Sequence, residues 1–338
     1  MGRMSTKLRW GILSTADIGL AKVLPAMRQC EHVTLQAIAS RDLAKARKAA
    51  ETLGIPTAYG SYEELLADPH VDVVYNPLPN QLHVPWTIKA AEAGKHVLCE
   101  KPLSLTVAEA KSLLPVRDRA GVQIGEAFMI RTHPQWRRVE QLIAEGRIGQ
   151  LRSVNTLFSY FLLDPNNIRN RADCGGGAML DIGCYCIQAA RAGFGAEPTR
   201  VVGLIERDPA FHTDRLASAI LDFPTGQATF TCGTQMVPYQ RVQLLGTTGR
   251  IEIEIPFNAL PDRPMRIFLD NGDLTGAGLV TEELPICDQY TVQGEEFSKA
   301  ILEGRPVPVT LEMGIKNMAV IEAVFRSGQS GQWVEVEK

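Results

Sequence analysis

At 338 residues the chain exceeds the size at which a single hydrophobic core stops growing, about 250 to 300 residues, so two domains are expected. With 45% hydrophobic and 22% charged residues and a formal net charge of -3, it reads as globular, and neither nucleic acid nor a membrane surface is implied as a partner. The seven cysteines are scattered and odd in number, which points to a reducing compartment and the cytoplasm; Cys184 and Cys186 stand too close for a zinc knuckle, and no metal site is expected.

The first third alternates β-branched runs with helical patterns, the grammar of βαβ units and a parallel sheet. A strand over 8–13 runs into a turn in which Ser14, Ala16 and Gly19 hold the G-x-G-x-x-G spacing, with glycine only at the third place. Small residues there let backbone N–H groups at a helix start approach a pyrophosphate, which makes Ser14, Thr15, Ala16, Asp17 and Ile18 candidate cofactor contacts; an ordinary tight turn fits the same residues. A helix over 18–28 and a strand over 33–39 follow. Where a dinucleotide fold often carries an acid for the ribose hydroxyls, this chain has Ser40 and Arg41. A hydroxyl and a guanidinium suit a 2′-phosphate, which favours NADP(H) over NAD(H). Two other readings stand beside it: Asp42 as ribose acceptor after a one-residue shift, and Arg41 as a solvated loop charge.

A helix over 43–53 and a strand over 71–75 lead to Asn76-Pro77-Leu78-Pro79-Asn80-Gln81-Leu82-His83. The prolines stiffen this loop, Asn80 is the expected N-cap of a helix over 84–93, and Leu78, Pro79, Asn80 and His83 are expected near a nicotinamide. Next comes the strand over 96–99, ending in Glu100-Lys101-Pro102. Ligands of doubly wound sheets bind beyond the carboxyl ends of the strands, so an ammonium at that edge suggests chemistry. A helix over 107–119 and a strand over 122–125 complete this pattern.

After about residue 126 the pattern changes. A helix over 135–144 precedes strands over 151–158, 199–205, 216–223, 228–234, 239–245 and 250–255, whose hairpin-like spacing predicts a mainly antiparallel sheet. Helices over 293–302 and 311–325 and a strand over 333–336 end the chain. Within this half, Gly175-Gly176-Gly177 allows a backbone to come close to a ligand or to another element. Asp181 and Tyr185, four apart on the following helix, share a face; a surface pair, or a buried Tyr satisfied by Asp, is the competing reading. Arg131, His133, Arg169, Arg171 and Tyr290 are further site candidates, or else surface and interface groups. Phe158, Tyr160, Phe161, Leu162 and Leu163 read either as an apolar substrate wall or as core.

Taken together these motifs resemble the Gfo/Idh/MocA oxidoreductases: the modified turn at Ser14 to Gly19, Pro79-Asn80 with His83, Gly94-Lys95-His96-Val97 with Glu100-Lys101-Pro102, Arg131 with His133-Pro134, and the glycine segment through Tyr185. The resemblance implies an α/β protein with an NADP-binding Rossmann domain over 1–126. A substrate-binding and oligomerisation domain over 127–338 would carry a large open, mainly antiparallel sheet that forms subunit contacts in a homo-dimer or homo-tetramer. Tyr185, where many members carry His, looks like the branch of glucose-fructose oxidoreductase, NADP-dependent xylose dehydrogenases and dimeric dihydrodiol dehydrogenases. By that likeness Lys101, Asp181 and Tyr185 form the catalytic set, while Glu100, Lys101, Arg131 and Tyr290 join the cofactor contacts. Ser14 and Ala16 depart from the family's usual glycines, which puts tight pyrophosphate packing in doubt.

The expected reaction is hydride transfer between the nicotinamide and a hydroxyl or carbonyl carbon of a sugar or cyclic polyol. A phenol titrates near ~10, so a Lys101 ammonium beside Tyr185 would favour the phenolate as proton carrier, and Asp181 would orient the substrate. Lys101 as the proton carrier is the other assignment. A trans-dihydrodiol dehydrogenase and a non-catalytic dinucleotide-binding regulator are the alternative functions.

Overall fold

The computed structural model describes residues 7–337. The chain forms two compact units, one running to Thr132 and rejoined by Asp288–Ile315, the other made of His133–Cys287 and the residues from Lys316 onward. In the first, β1 (Leu8–Leu13), β2 (Val33–Ala39), β3 (Thr57–Tyr59), β4 (Val73–Asn76), β5 (His96–Cys99) and β6 (Ile124–Glu126) lie in the order β3-β2-β1-β4-β5-β6. Every pairing is parallel. The strand order reverses at β1, which is the Rossmann arrangement and opens a ligand crevice beyond the carboxyl ends of the strands.

The connections are α1 (Leu24–Met27), α2 (Leu43–Leu53), α3 (Tyr62–Ala67), α4 (His83–Glu92) and α5 (Val107–Ala120). Their starts follow from local chemistry. Asp42 caps α2, Ser61 forms a reciprocal capping box with Glu64 at α3, and Thr106 caps α5, each satisfying N–H groups that a helix start leaves unpaired. Leu82, not Asn80, precedes the first residue of α4, and no side chain caps it; Asn80 instead opens a short 3-10 turn, Asn80–Leu82. In β1 the central Gly11 packs closely, since a methyl there would lie 2.7 Å from the Leu65 side chain and 2.9 Å from that of Val71.

In the second unit α6 (Pro134–Ala144) and α7 (Cys184–Phe194) accompany β7 (Leu151–Phe161), β8 (Arg200–Arg207), β9 (Asp214–Phe223), β10 (Gly226–Gly233), β11 (Gln235–Gly246), β12 (Arg250–Ile253), β13 (Met265–Asp270), β14 (Val280–Leu284) and β15 (Val334–Glu335). The nine strands follow the order β14-β13-β12-β11-β7-β10-β9-β8-β15. Neighbours are antiparallel except β7 and β10, which run parallel. Glycine brings α7 down onto this sheet: a methyl at Gly193 would meet Leu244 at 3.0 Å and Val154 at 3.4 Å.

The chain then supplies α8 (Gln289–Leu302) and α9 (Leu311–Ser330). A single boundary at residue 126 does not describe the units, because α8 belongs to the first one. Phe297 sets its ring 5.6 Å from that of the fully buried Trp10, whose indole N–H donates to Ser298 Oγ at 3.2 Å. Thr291 donates to Ala26 O at 2.9 Å, and Glu295 Oε1 lies 2.5 Å from His32 Nδ1. Burial of side chains the size of Trp10 and Phe297 contributes about 1.5–3 kcal/mol each, enough to hold a distant segment in the first unit's core. Among the described residues no helix is long and apolar enough to cross a membrane.

Candidate active site

Beyond the carboxyl end of β1 the backbone turns through Ser14, which takes a φ of +85°. This is the left-handed conformation that favours glycine and costs an L-residue roughly 1–2 kcal/mol. Serine therefore departs from the fingerprint in composition while its backbone takes the glycine-type turn. Its Oγ accepts from Ala16 N at 3.2 Å, and its N–H donates to Ala39 O at 2.9 Å. The following N–H groups, at Asp17 and Ile18, open a helical segment, the place where amides are left unpaired and the dipole favours a phosphate.

At the end of β2, Ser40 is buried while Arg41 is exposed. Asp42 has a structural duty: its Oδ1 accepts from Ala44 N at 3.0 Å and Lys45 N at 3.3 Å. Arg41 also lies close enough to oppose the rise that burial imposes on the Tyr62 phenol. A hydroxyl and a guanidinium thus follow the end of β2, with the neighbouring Asp42 carboxylate engaged as a helix cap. That donor set fits a 2′-phosphate.

Lys101 sits in a turn held from several sides. Glu100 N donates to Asn76 O at 3.0 Å, Tyr75 OH donates to Glu100 Oε1 at 2.7 Å, and Leu103 N donates to the buried Glu126 at 2.7 Å. His83 adds a further tie, with Nδ1 at 2.7 Å from Pro102 O and Nε2 at 2.7 Å from Leu78 O. This imidazole is only 1% exposed, and burial lowers it to about 4 against two carbonyls that favour its charge. Both its nitrogens are occupied by the loops that flank Lys101, so the structure gives His83 a bracing position. Leu78 is buried, and Pro79 and Asn80 are half-buried on the same loop.

Tyr290, half-buried on α8, belongs to this unit too. Burial raises its phenol first and Glu100 adds to the effect, so it faces the same turn. Arg131 ends the 3-10 turn Met129–Arg131, also half-buried.

In the second unit the glycine segment answers a packing demand. A methyl at Gly176 would lie 2.5 Å from Arg169 O, and one at Gly177, where φ is +120°, would lie 2.0 Å from Asp214 Oδ1. The chain then winds through a π-helical turn, Met179–Gly183, into α7. Asp181 and Tyr185 stand about one turn apart. Asp181 Oδ2 accepts from Tyr160 OH at 2.6 Å and from Arg169 Nε at 2.9 Å. Burial and then Asp181 drive the Tyr160 phenol well above its ordinary range, so it stays a donor, while Asp181 first of all holds the Arg169 guanidinium charged.

Tyr185 is 5% exposed. Its ring is met edge-on by Phe158 at 5.9 Å and at a tilt by Phe257 at 5.6 Å, and these two stack on each other at 4.7 Å. Such a collar fixes the ring. The Arg169 charge acts on Tyr185 as well. Farther along, Cys184 O accepts from Asn317 Nδ2 at 3.2 Å, which ties α7 to α9.

Three of the further candidates with two readings take structural places. Arg171 pairs with exposed Asp173 at 2.6 Å on the surface. His133 caps α6 through Nδ1, with Nε2 3.4 Å from Cys287 Sγ, so both its nitrogens are engaged. The run from Phe158 to Leu163 forms no single wall: Phe158 is core, Tyr160 serves Asp181, and Phe161 is 60% exposed. The polar role of Tyr160 and the whole of Asp214 escaped the sequence reading; an isolated acid at a strand start was the one available signal for Asp214.

Two family models match the chain, one described as the GFO_IDH_MocA oxidoreductase family, NAD-binding Rossmann fold, over residues 8–128, the other as the GFO/IDH/MocA C-terminal domain over residues 136–252. An uncharacterized oxidoreductase of Rhizobium meliloti is 49% identical, covering 97% of this chain and 99% of its own. D-xylose 1-dehydrogenase (NADP(+)) 2 of Haloferax volcanii is 39% identical, covering 98% and 100%. A 3-ketoreductase from Actinomadura kijaniata, solved in complex with NADP and TDP-benzene, superposes with a TM-score of 0.88 at 31% identity, covering 95% and 98%.

Proposed function

Because the chain belongs to the Gfo/Idh/MocA oxidoreductase family, we propose that it is an NADP(H)-dependent dehydrogenase or reductase of a sugar or cyclic polyol. The observation that carries this reading is the Asp181 carboxylate, braced by Tyr160 and Arg169 one turn from Tyr185. A fixed acceptor beside a phenol suits a substrate with neighbouring hydroxyls, one to be held and one to be deprotonated. Bound NADP(+) supplies the hydride acceptor, and NADPH the donor in reverse.

The chain's own residues do the rest. Ser40 and Arg41 hold the 2′-phosphate, and the turn from Ser14 to Ile18 takes the pyrophosphate at a helix start. Leu78, Pro79, Asn80, Glu100, Arg131 and Tyr290 line the nicotinamide end, with His83 bracing it. Tyr185 takes the hydroxyl proton as the hydride leaves and returns it in reverse. Lys101 stabilises the charge that develops on the reacting oxygen, and Asp181 accepts from an adjacent hydroxyl.

A panel of aldoses, inositols and a trans-dihydrodiol, followed by reduced-nicotinamide absorbance with NADP and with NAD, tests the reading. Turnover confined to the dihydrodiol would move the assignment to a trans-dihydrodiol dehydrogenase. Tight NADP binding without any turnover would move it to a regulator. The division of Phe158 and Tyr160 between core and Asp181 favours the polyol. In the same assay Arg41→Ala is expected to raise KM for NADP by about 10- to 50-fold, the value of a charge-assisted contact, and to leave KM for NAD unchanged. An unchanged KM for NADP would remove Arg41 from the phosphate site.

The second unit's sheet carries Leu204, Ile220 and Tyr239 among Asn155, Ser218, Thr229 and Arg241 on a common concave surface, and those three large side chains are well exposed. This mixed face supports a homo-oligomer formed through the sheet. Light scattering on the wild type is expected to give a dimer or tetramer, and Leu204→Arg a smaller species; a monomeric wild type would sink the idea.

A further inference from the structure

Asp214 opens β9 and is 2% exposed. Its Oδ2 accepts from Met179 N at 2.6 Å, in the first turn of the helical segment that carries Asp181 and Tyr185. Asp181 N in turn donates to Gly177 O at 3.2 Å, so Gly177 occupies the place from which a Ser or Asp would ordinarily cap such a helix. Gly177 has no side chain to offer. Any methyl there would strike Asp214 Oδ1, so the missing local cap and the incoming carboxylate are one arrangement. The cap is delivered by a strand 35 residues away in the chain.

We propose that Asp214 is a positioning residue of the reaction, its buried carboxylate setting the helix turn that presents Asp181 and Tyr185. This rests on the function proposed above. Asp214 does not touch substrate; it acts through the backbone of Ala178 and Met179.

The groups that act on it electrostatically, or are acted on by it, include Arg207 from β8, Tyr160 from β7 and Cys232 from β10. Among the described residues no cation pairs with it directly. Burial pushes its carboxyl from 3.8 up to about 6, against the backbone N–H groups that favour the charged form. The sign of the two consequences differs. Because the folded value lies above the unfolded one, this group's contribution to stability grows as pH falls from 6 towards 4. Its capping weakens over the same fall, since a neutral carboxyl is a poorer acceptor at a helix start.

The test measures kcat/KM from pH 5 to 8 beside thermal unfolding. Wild type is expected to lose turnover as pH falls through about 6 with no parallel loss of Tm from this group. Asp214→Asn, neutral and of equal shape, is expected to lose that acid limb while retaining measurable turnover at pH 7.5. Asp214→Ala is expected to drop kcat by ~30-fold with NADPH affinity within ~2-fold, the scale of a small misplacement of reacting groups.

An acid limb that persists in Asp214→Asn, no limb in wild type, or Asp214→Ala within ~2-fold of wild-type kcat would each overturn the proposal. Amide hydrogen exchange over residues 178–185, corrected for intrinsic rates, provides a readout independent of substrate. Reduced protection there in Asp214→Ala, found in a protein that turns over no sugar, would refute the proposed reaction while leaving the helix-setting role in place; unchanged protection would refute that role.

Discussion

Tyr185→Phe is expected to lower kcat by about 10³-fold while NADPH affinity stays within ~2-fold of wild type. The change deletes one oxygen and keeps the ring that Phe158 and Phe257 grip, so fold and packing should survive it. The residues assigned to the cofactor lie in the first unit, whereas Tyr185 lies in the second. A loss confined to kcat is therefore the signature of a proton carrier, because a group used only in the transition state leaves ground-state binding alone. Single-turnover absorbance with a fluorescence titration of NADPH separates the two quantities. Turnover within ~5-fold of wild type would take the proton away from Tyr185.

Lys101→Met is the second large effect, with kcat/KM expected to fall by about 10²- to 10³-fold, the range for removing one donor to a developing oxyanion. Methionine keeps much of the length and all of the hydrophobic stem. The turn itself is held by bonds to Glu100, His83, Glu126 and the backbone of Asn76 that other groups make. Pairing this variant with Tyr185→Phe decides how the two divide the work. If both act on one proton-transfer step, the double variant should be little worse than the worse single; independent roles should multiply. An unaltered kcat/KM in Lys101→Met would leave Lys101 outside the chemistry.

Much of the first unit was legible because its strands are short apolar runs closed by turn residues. The bounds of β1, β2, α2 and β5 agree with the sequence reading for that reason. Thr57–Tyr59 and Tyr62–Ala67 were not legible; the strand is brief and half-buried, and the helix is too short to show a period. β13 and β14 were missed as well. Arg266, Asp270, Glu282 and Glu283 place charge along these outer strands and blur their alternation.

Lys101 could be singled out because an apolar strand ends in a rigid turn next to it. Asp181 and Tyr185 were legible as a helical pair. Their supports were not: Tyr160, Arg169 and Asp214 reach Asp181 and Met179 across 21, 12 and 35 residues, separations that no local period records. Asn80 failed as a cap because the chain takes a 3-10 turn before α4. A helix start can be fixed by tertiary contact, as where the buried His83 ring sits between the carbonyls of Pro102 and Leu78.

The late position of α8 bears on how the protein is made. A ribosome delivers residues in order, and domains usually fold as they emerge. Here Trp10 waits for Phe297 and Ser298, and Ala26 for Thr291. The six-stranded sheet can be complete in sequence before α8 has been made, and eight of the second sheet's nine strands are synthesised in between. The nascent first unit thus exposes apolar surface around Trp10 for most of translation. The nucleotide-binding fold, although it comes first in the chain, is finished among the last.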